Sequence, residues 1–448
     1  MLVLFTALKF NDLFLPYFWD ELGVYARSSM YLCKHEIGLQ PKYLPPELSR
    51  GHPLLLPSLF AGWFLIWGKS VFAGHVLALI ISLVFIAFLF LFAAKSQGVV
   101  SALGIALMLC LQPLFVAQSA LILPEVLLSL FCFAALVFYS QKRFFEFAIV
   151  TSFALLTKET ALVLPFTALL FTLIKIIFYK DRGEYISLKN MTSIVFPLLI
   201  FISFLVLQKR QNGWYLFPMH TDLMSFQFSE IINSLKLYLK FVFIQQGRWL
   251  SSGILLLTIL FRIVKGEIKI SDFSLLAVTF LCIFLAFSSL NFVMMRYMMP
   301  AIVVVCVLLV RTISRVSAKL ILPIAIVLGL FAYRHMESSS FKYDEDMSYR
   351  YQVVSQQKAT DYILQITKST DTIGADFPAY YGFEFPESGY LKNPQQKVCF
   401  GLSSKVQYQY YVFANTGEND YLMPSDSSLY LIKAFKEGFC DGRIYERK

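Results

Sequence analysis

The sequence predicts a mainly α, polytopic membrane protein of about 11–12 transmembrane helices, followed by a small external α/β domain over residues 336–448. Three observations predict it. The chain of 448 residues is 57% hydrophobic and 15% charged, against roughly 25% charged in a soluble domain. Apolar stretches approaching the roughly 20 residues that a bilayer requires recur at 76–94, 99–117, 161–178 and 273–290. Charge is also split along the chain: residues 337–448 hold 12 Lys/Arg against 15 Asp/Glu, leaving 27 basic against 14 acidic residues upstream. This composition excludes an ordinary cytosolic enzyme. The net charge of +10 is no evidence for a nucleic-acid partner, because membrane proteins gather Lys and Arg in cytoplasmic loops for topological reasons.

The N-terminal apolar run, residues 1–8, covers only about 12 Å at 1.5 Å per residue and cannot cross alone. Continued to Trp19, it would carry Lys9, Asn11 and Asp12 through its middle at a few kcal/mol each, so a marginal first helix or a start further upstream is expected. Helices follow near 54–67, 71–94, 99–118, 126–140, 144–157, 161–178, 192–207, 241–264, 273–290, 300–310 and 320–334. Basic clusters at Lys142-Arg143, Lys180 with Arg182, Arg262 with Lys265 and Lys269, and Arg311 with Arg315 and Lys319 mark one side as cytoplasmic. Alternation places Asp20, Glu21, Glu125, Lys158, Glu159, the loop 208–240, Arg296 and the tail on the opposite, external side. Segment 54–67 breaks the alternation and is expected to be a re-entrant wall of a cavity. In the tail, 349–368 has helical spacing, and 372–375, 406–413 and 429–435 read as strands. Cys110, Cys132, Cys282 and Cys306 lie in apolar helices; Cys33, Cys399 and Cys440 are external, and a Cys399–Cys440 bridge is open.

The external polar residues are the candidates for chemistry. Asp20-Glu21 is an adjacent carboxylate pair at a membrane surface, read either as a helix cap with an acid in the first turn or as a general base. Ser49-Arg50-Gly51-His52-Pro53 ends the same loop, where His before Pro is either a turn or a site. Pro124-Glu125 and Thr157-Lys158-Glu159-Thr160 join external helix pairs; capping and a snorkelling Lys with a local ion pair are the plain alternatives to function. Gly213-Trp214-Tyr215-Leu216-Phe217-Pro218-Met219-His220 sets a His among rings that an interfacial belt explains equally well. Arg296-Tyr297 puts a cation at an external helix end, against the positive-inside bias, which favours an anionic partner.

In this order the motifs resemble those of the GT-C glycosyltransferases of the family 39 and 83 type, which include protein O-mannosyltransferases and aminoarabinose lipid A transferases. The resemblance runs from Asp20-Glu21 through His52-Pro53, Pro124-Glu125, Thr157-Lys158 and Arg296-Tyr297 to Pro300, within a transmembrane domain of residues 1–335 whose external loop is 20–53. It implies Asp20 as the catalytic base and Lys158 and Arg296 near a donor phosphate. Two departures stand out: Gly51-His52 occupies the place where the aminoarabinose transferases have a Lys before the proline, and Pro124-Glu125 replaces the usual Asp-Pro-like acidic turn.

Nucleotide sugars are cytoplasmic, so a sugar transferase facing outward needs a donor carried through the bilayer, namely a sugar on a polyprenyl phosphate. The expected site therefore has Asp20 and Glu21 as the catalytic carboxylates, with Arg50, His52, Glu125, Lys158, Glu159, His220, Arg296 and Tyr297 binding substrate. The acceptor is a lipid, a glycan or a protein, and the expected place is a bacterial inner membrane with the site facing the periplasm. The five histidines show no metal-ligand spacing, so a divalent ion is left open and no other cofactor is expected. A transporter or flippase, the main alternative, should carry ionisable residues near the midplane of symmetry-related helices, whereas these helix centres are almost purely apolar. A non-catalytic envelope scaffold would use the same carboxylates as caps.

Overall fold

The structure, a computed structural model, describes residues 1–180, 183–267, 270–337, 344–368, 370–391, 397–400, 408–415 and 428–448. Arg182 and Lys269 of the basic clusters lie outside these residues, as do 406–407 of one expected strand. The first helix, Leu2–Lys9, stops where the sequence turns polar. Lys9 is fully buried against Asp12, and Asp12 also takes Arg350 of the C-terminal region at 2.5 Å. Charges that would forbid a span instead pin the tail to the bundle.

Four helical stretches are long and apolar enough to cross a bilayer: Val71–Gln97, Glu159–Phe178, Leu188–Asn212 and Met295–Val316. With a bent pair and six shorter apolar helices of 10–17 residues, they make eleven apolar units among the described residues. The bent pair corrects the expectation of one helix over 241–264. Phe228–Phe243 and Arg248–Val264 meet at 84°, because Gln246 and Gly247 adopt φ of 50° and 78° at the corner. Since Leu188–Asn212 also runs further than expected, the loop read as 208–240 shrinks to residues 213–227. The helix expected over 99–118 breaks into Val99–Cys110 and Pro113–Gln118, Pro113 starting the second piece, where its missing N–H costs nothing. Segment 54–67 forms the helix Leu55–Trp67, which packs mainly on Ala26–Lys34 and leaves Leu65, Ile66 and Trp67 exposed.

The C-terminal region carries β1 (Thr372–Ala375), β2 (Lys397–Phe400), β3 (Tyr410–Asn415), β4 (Leu429–Glu437) and β5 (Cys440–Arg447), in the order β2-β1-β3-β5-β4. β1 runs parallel to β2 and β3, and β5 pairs antiparallel with β3 and β4. The helix Tyr349–Ile366 packs Ala359 and Ile363 against Ile373, Val412 and Ile444 to form the domain's own core. β2, β5 and the short helix Ala379–Glu384 were not read from the sequence. Cys399 on β2 and Cys440 on β5 are both free thiols; three strand spacings, about 14 Å, separate their strands, beyond the reach of a disulfide.

This region does not hang free. Met336, Met347, Tyr349, Val353, Phe385 and Tyr390 are part of the same apolar core as the helical bundle. Residues 17–34 lie beneath it: the Tyr17 amide donates to the Ser388 carbonyl at 2.9 Å, Trp19 meets Phe377 edge-on at 4.7 Å, and Arg27 and Lys34 pair with Glu384 and Glu387.

Candidate active site

The loop that enters the site begins at Trp19, with φ of 43°, and continues as a single wide helical turn, Glu21–Tyr25, into the helix Ala26–Lys34. Wide turns of this kind re-aim side chains and are frequent at functional sites. Here they send the two adjacent carboxylates in opposite directions. Asp20 caps no backbone N–H; its Oδ2 accepts instead from Arg296 Nη2. Glu21 turns inward and is fully buried, its oxygens taken by the Phe18 amide at 3.1 Å, the Ile122 amide at 2.7 Å and His75 Nε2 at 3.0 Å. Glu21 therefore ties the loop to the bundle, which corrects its expected catalytic role: a carboxylate with both oxygens engaged in the core has no access to a reacting group.

Arg296 is the centre of the cluster. It stands in the turn Met295–Met298, just before the helix Met299–Val316, whose Pro300 sits in the first turn. Its Nη1 donates to Asp344 Oδ2 at 2.7 Å, and its Nε lies 3.6 Å from Glu125 Oε1. Glu125, in the first turn of Pro124–Ser140, accepts in addition from Lys158 Nζ at 2.9 Å. Lys158 Nζ also stands 3.5 Å from the centroid of the Tyr297 ring, a cation–π contact made where little water remains. Five charged groups thus meet, three carboxylates against two cations. Among the described residues Glu125 Oε2 and Asp344 Oδ1 have no hydrogen-bond partner, and buried polar atoms left so call for one. Burial alone would raise the Asp20 carboxyl, but the Arg296 charge and hydrogen bond outweigh it and hold Asp20 below the ordinary carboxylate range. At Asp344 burial wins, and the group lies above that range. Asp344 was missed in the sequence; the run Asp344-Glu345-Asp346 was its signal.

A second cluster adjoins the first through the Lys158-Glu159 pair. His52 Nδ1 lies 3.1 Å from both oxygens of Glu159, and the His52 and His220 rings stand 4.8 Å apart. One ligand atom from each of His52, Glu159 and His220 falls within 4.8 Å of the others, a set able to hold a metal ion. Two imidazoles and a carboxylate suit zinc-like chemistry. Burial and the neighbouring His52 push His220 down to about 4, which keeps it in the neutral, ligating form at physiological pH. Histidines scattered in sequence are thus gathered by tertiary contact. Gly51 makes the approach close: at φ of 75°, a Cβ there would stand 2.8 Å from Phe217 Cβ and 3.1 Å from the Trp214 ring. The Arg50 charge is felt by both Asp20 and His220, and among the described residues its side chain pairs with no carboxylate. A cavity of about 310 Å³ opens beside this cluster, with Glu159 and His220 at its polar edge and Phe201, Phe204, Phe217 and Phe287 among its walls. Gly51 and Pro53 border it, whereas the helix Leu55–Trp67, expected as the cavity wall, does not. Nine of the ten candidates are thus linked by contact or charge, Glu159 and His220 among them lining the cavity, and Glu21 alone points away.

No family model matches the chain, and no curated protein does. Solved structures do match, among them ArnT from Cupriavidus metallidurans in the apo state, with a TM-score of 0.61, and the same protein bound to undecaprenyl phosphate, with a TM-score of 0.63. Each is 14% identical, and each match covers 99% of this chain and 97% of ArnT. At that identity the likeness is one of architecture, carried through helical bundle and C-terminal region alike: this chain has the polytopic GT-C fold of ArnT.

Proposed function

We propose that the chain is an integral membrane glycosyltransferase that moves a sugar from a polyprenyl-phosphate donor to an envelope acceptor, a lipid, glycan or protein, with Asp20 as general base. The fold shared with ArnT, one of whose structures holds undecaprenyl phosphate, supports this reading. The observation that carries it is the position of Asp20. About one-fifth of its side chain is open, whereas Glu125 and Asp344 in the same cluster are buried, and it lies within reach of the charges of Arg50 and His52.

In the proposed reaction the donor phosphate lies among Arg50, His52, Lys158 and Arg296, and the first prenyl units fill the adjoining cavity. Asp20, ionised at neutral pH, leaves Arg296 and accepts the proton of the acceptor hydroxyl. The hydroxyl oxygen bonds to the anomeric carbon as the carbon–phosphate-oxygen bond breaks, its electron pair departing on the phosphate. A single in-line displacement inverts the anomeric centre, and the cations stabilise the leaving charge. A divalent ion held by His52, Glu159 and His220 would add positive charge beside the phosphate. The setting is a bacterial inner membrane, the site facing the periplasm.

The test is release of undecaprenyl phosphate from labelled undecaprenyl-phosphate sugars by the purified protein, with mass spectrometry of envelope glycans from cells with and without it to identify sugar and acceptor. Asp20→Asn is expected to abolish release while leaving membrane insertion and melting intact; full release in that variant removes Asp20 from the mechanism.

A further inference from the structure

At the far end of the bundle from Asp20, a second and larger cavity runs between the helices Arg248–Val264, Asp272–Ser288 and Met299–Val316. It measures about 640 Å³. Its walls are almost entirely apolar along Val278, Leu281, Leu285, Val305 and Leu308, yet one mouth is lined by Arg262, Arg311 and Arg315. Arg311 is fifteen residues beyond Arg296, so at 1.5 Å per residue this mouth lies about 22 Å along the helix from the candidate active site.

The three guanidinium groups are close enough for Arg311 to feel the charge of Arg315, and Arg315 that of Arg262. Among the described residues, no carboxylate side chain pairs with Arg262 or Arg311. Arg262 Nη2 donates to the Glu267 backbone carbonyl at 2.6 Å and Arg311 Nη2 to Ser271 Oγ at 3.3 Å, while the Nε of each is buried without a partner. Glu267 lines the same mouth, one carboxylate against three cations. A positive-inside bias explains basic residues at a helix end, but not why Arg262 and Arg311 stand at the opening of an apolar groove, each with a buried Nε that has no partner among the described residues.

We infer that this groove binds an anionic diacyl phospholipid of the leaflet opposite the active site, its phosphate held by Arg262 and Arg311 and one acyl chain laid along the Asp272–Ser288 helix. Basic pockets between transmembrane helices on the cytoplasmic side take up anionic head groups in this manner. The length of the groove selects the occupant. From Ser274 to Leu285 the wall extends eleven residues, about 16 Å, which matches half of the roughly 30 Å hydrocarbon core and therefore one leaflet's acyl chain. A long polyprenyl chain would overrun it.

Cys282, an exposed free thiol on the groove wall, is a built-in reporter. The full-length protein in detergent is alkylated with N-ethylmaleimide in the presence of phosphatidylglycerol, phosphatidylcholine or undecaprenyl phosphate, and modification of the Cys282 peptide is followed by mass spectrometry. Phosphatidylglycerol is expected to slow alkylation about tenfold more than phosphatidylcholine, the preference that two arginines near a phosphate supply. The double variant Arg262→Gln/Arg311→Gln should lose the difference. Equal protection by phosphatidylcholine, stronger protection by undecaprenyl phosphate, or a preference that survives in the double variant each overturns the assignment. The comparison of lipids on the unaltered protein stands even if the variant does not fold.

Discussion

Lys9, Asp12 and Arg350 form one buried ion network between the helical bundle and the C-terminal region; Asp20, Glu125, Lys158, Arg296 and Asp344 form another. Both bury a lysine, Lys9 in the first and Lys158 in the second, and both join the same two parts of the chain. They differ in charge balance. In the first, two cations face Asp12 and, at 3.8 Å, Glu337, and Asp12 is 2% exposed. In the second, three carboxylates outnumber two cations, and Lys158 joins it, through its neighbour Glu159, to the cluster that borders the cavity. Burial and pairing are common to both, so neither marks function. Unsatisfied buried atoms occur in both, Asp12 Oδ2 and Arg350 Nε in the first, Glu125 Oε2 and Asp344 Oδ1 in the second; the charge balance and the neighbouring Arg50 and His52 are what set the second apart.

The difference can be broken by substitution. Asp20→Asn should lower turnover by about 10²- to 10⁴-fold, the usual contribution of a general base, with little change in melting temperature. A comparable loss of stability would make the Asp20 cluster merely structural. Asp12→Asn should do the reverse: leaving Lys9 buried without its partner costs about 3–5 kcal/mol of stability, read by thermal denaturation in detergent, while turnover per folded molecule stays unchanged. Asp344→Asn keeps a hydrogen-bond acceptor for Arg296 but removes a charge; kcat should fall about tenfold with donor KM nearly constant, and an unaffected kcat would show that Arg296 needs only Asp20.

The smallest effect is on pH dependence. Burial first, then the charges of Asp344 and Asp346, push the Glu345 carboxyl up to about 8. The folded protein therefore keeps a proton that the unfolded chain gives up near the ordinary glutamate value, and the stability this adds is complete below about 4.3 and lost as the pH rises through 8. Melting measured across that window should decline by at most about 1.4 kcal/mol per pH unit, and Glu345→Gln should flatten the slope.

Much of this was legible in the sequence. The helix Phe144–Thr157 and the strand Thr372–Ala375 fall where their patterning placed them, because hydrophobic period and bounding polar residues act locally. The corner at Gln246 and Gly247 was not, since an apolar run reads the same whether it is straight or folded at 84°. The site divides likewise. Asp20, Lys158 and Arg296 were expected together from helix alternation and do meet through Glu125, whereas the meeting of His52 and Glu159, 107 residues apart, and the arrival of Asp344 depend on packing that no window of sequence contains. Glu21 was misread for the same reason: its neighbour His75 lies on another helix.

The Met347 amide donates to the Met336 carbonyl at 2.7 Å, so the chain leaves the last bundle helix and returns to nearly the same point, with Asp344 delivered to Arg296 on the way. The extramembrane part is consequently no detachable module. Cutting it off at the end of the final helix would delete one of the three acids around Arg296 and uncover the loop that presents Asp20, and a swap with the tail of another protein would have to reproduce that return path before any graft could work.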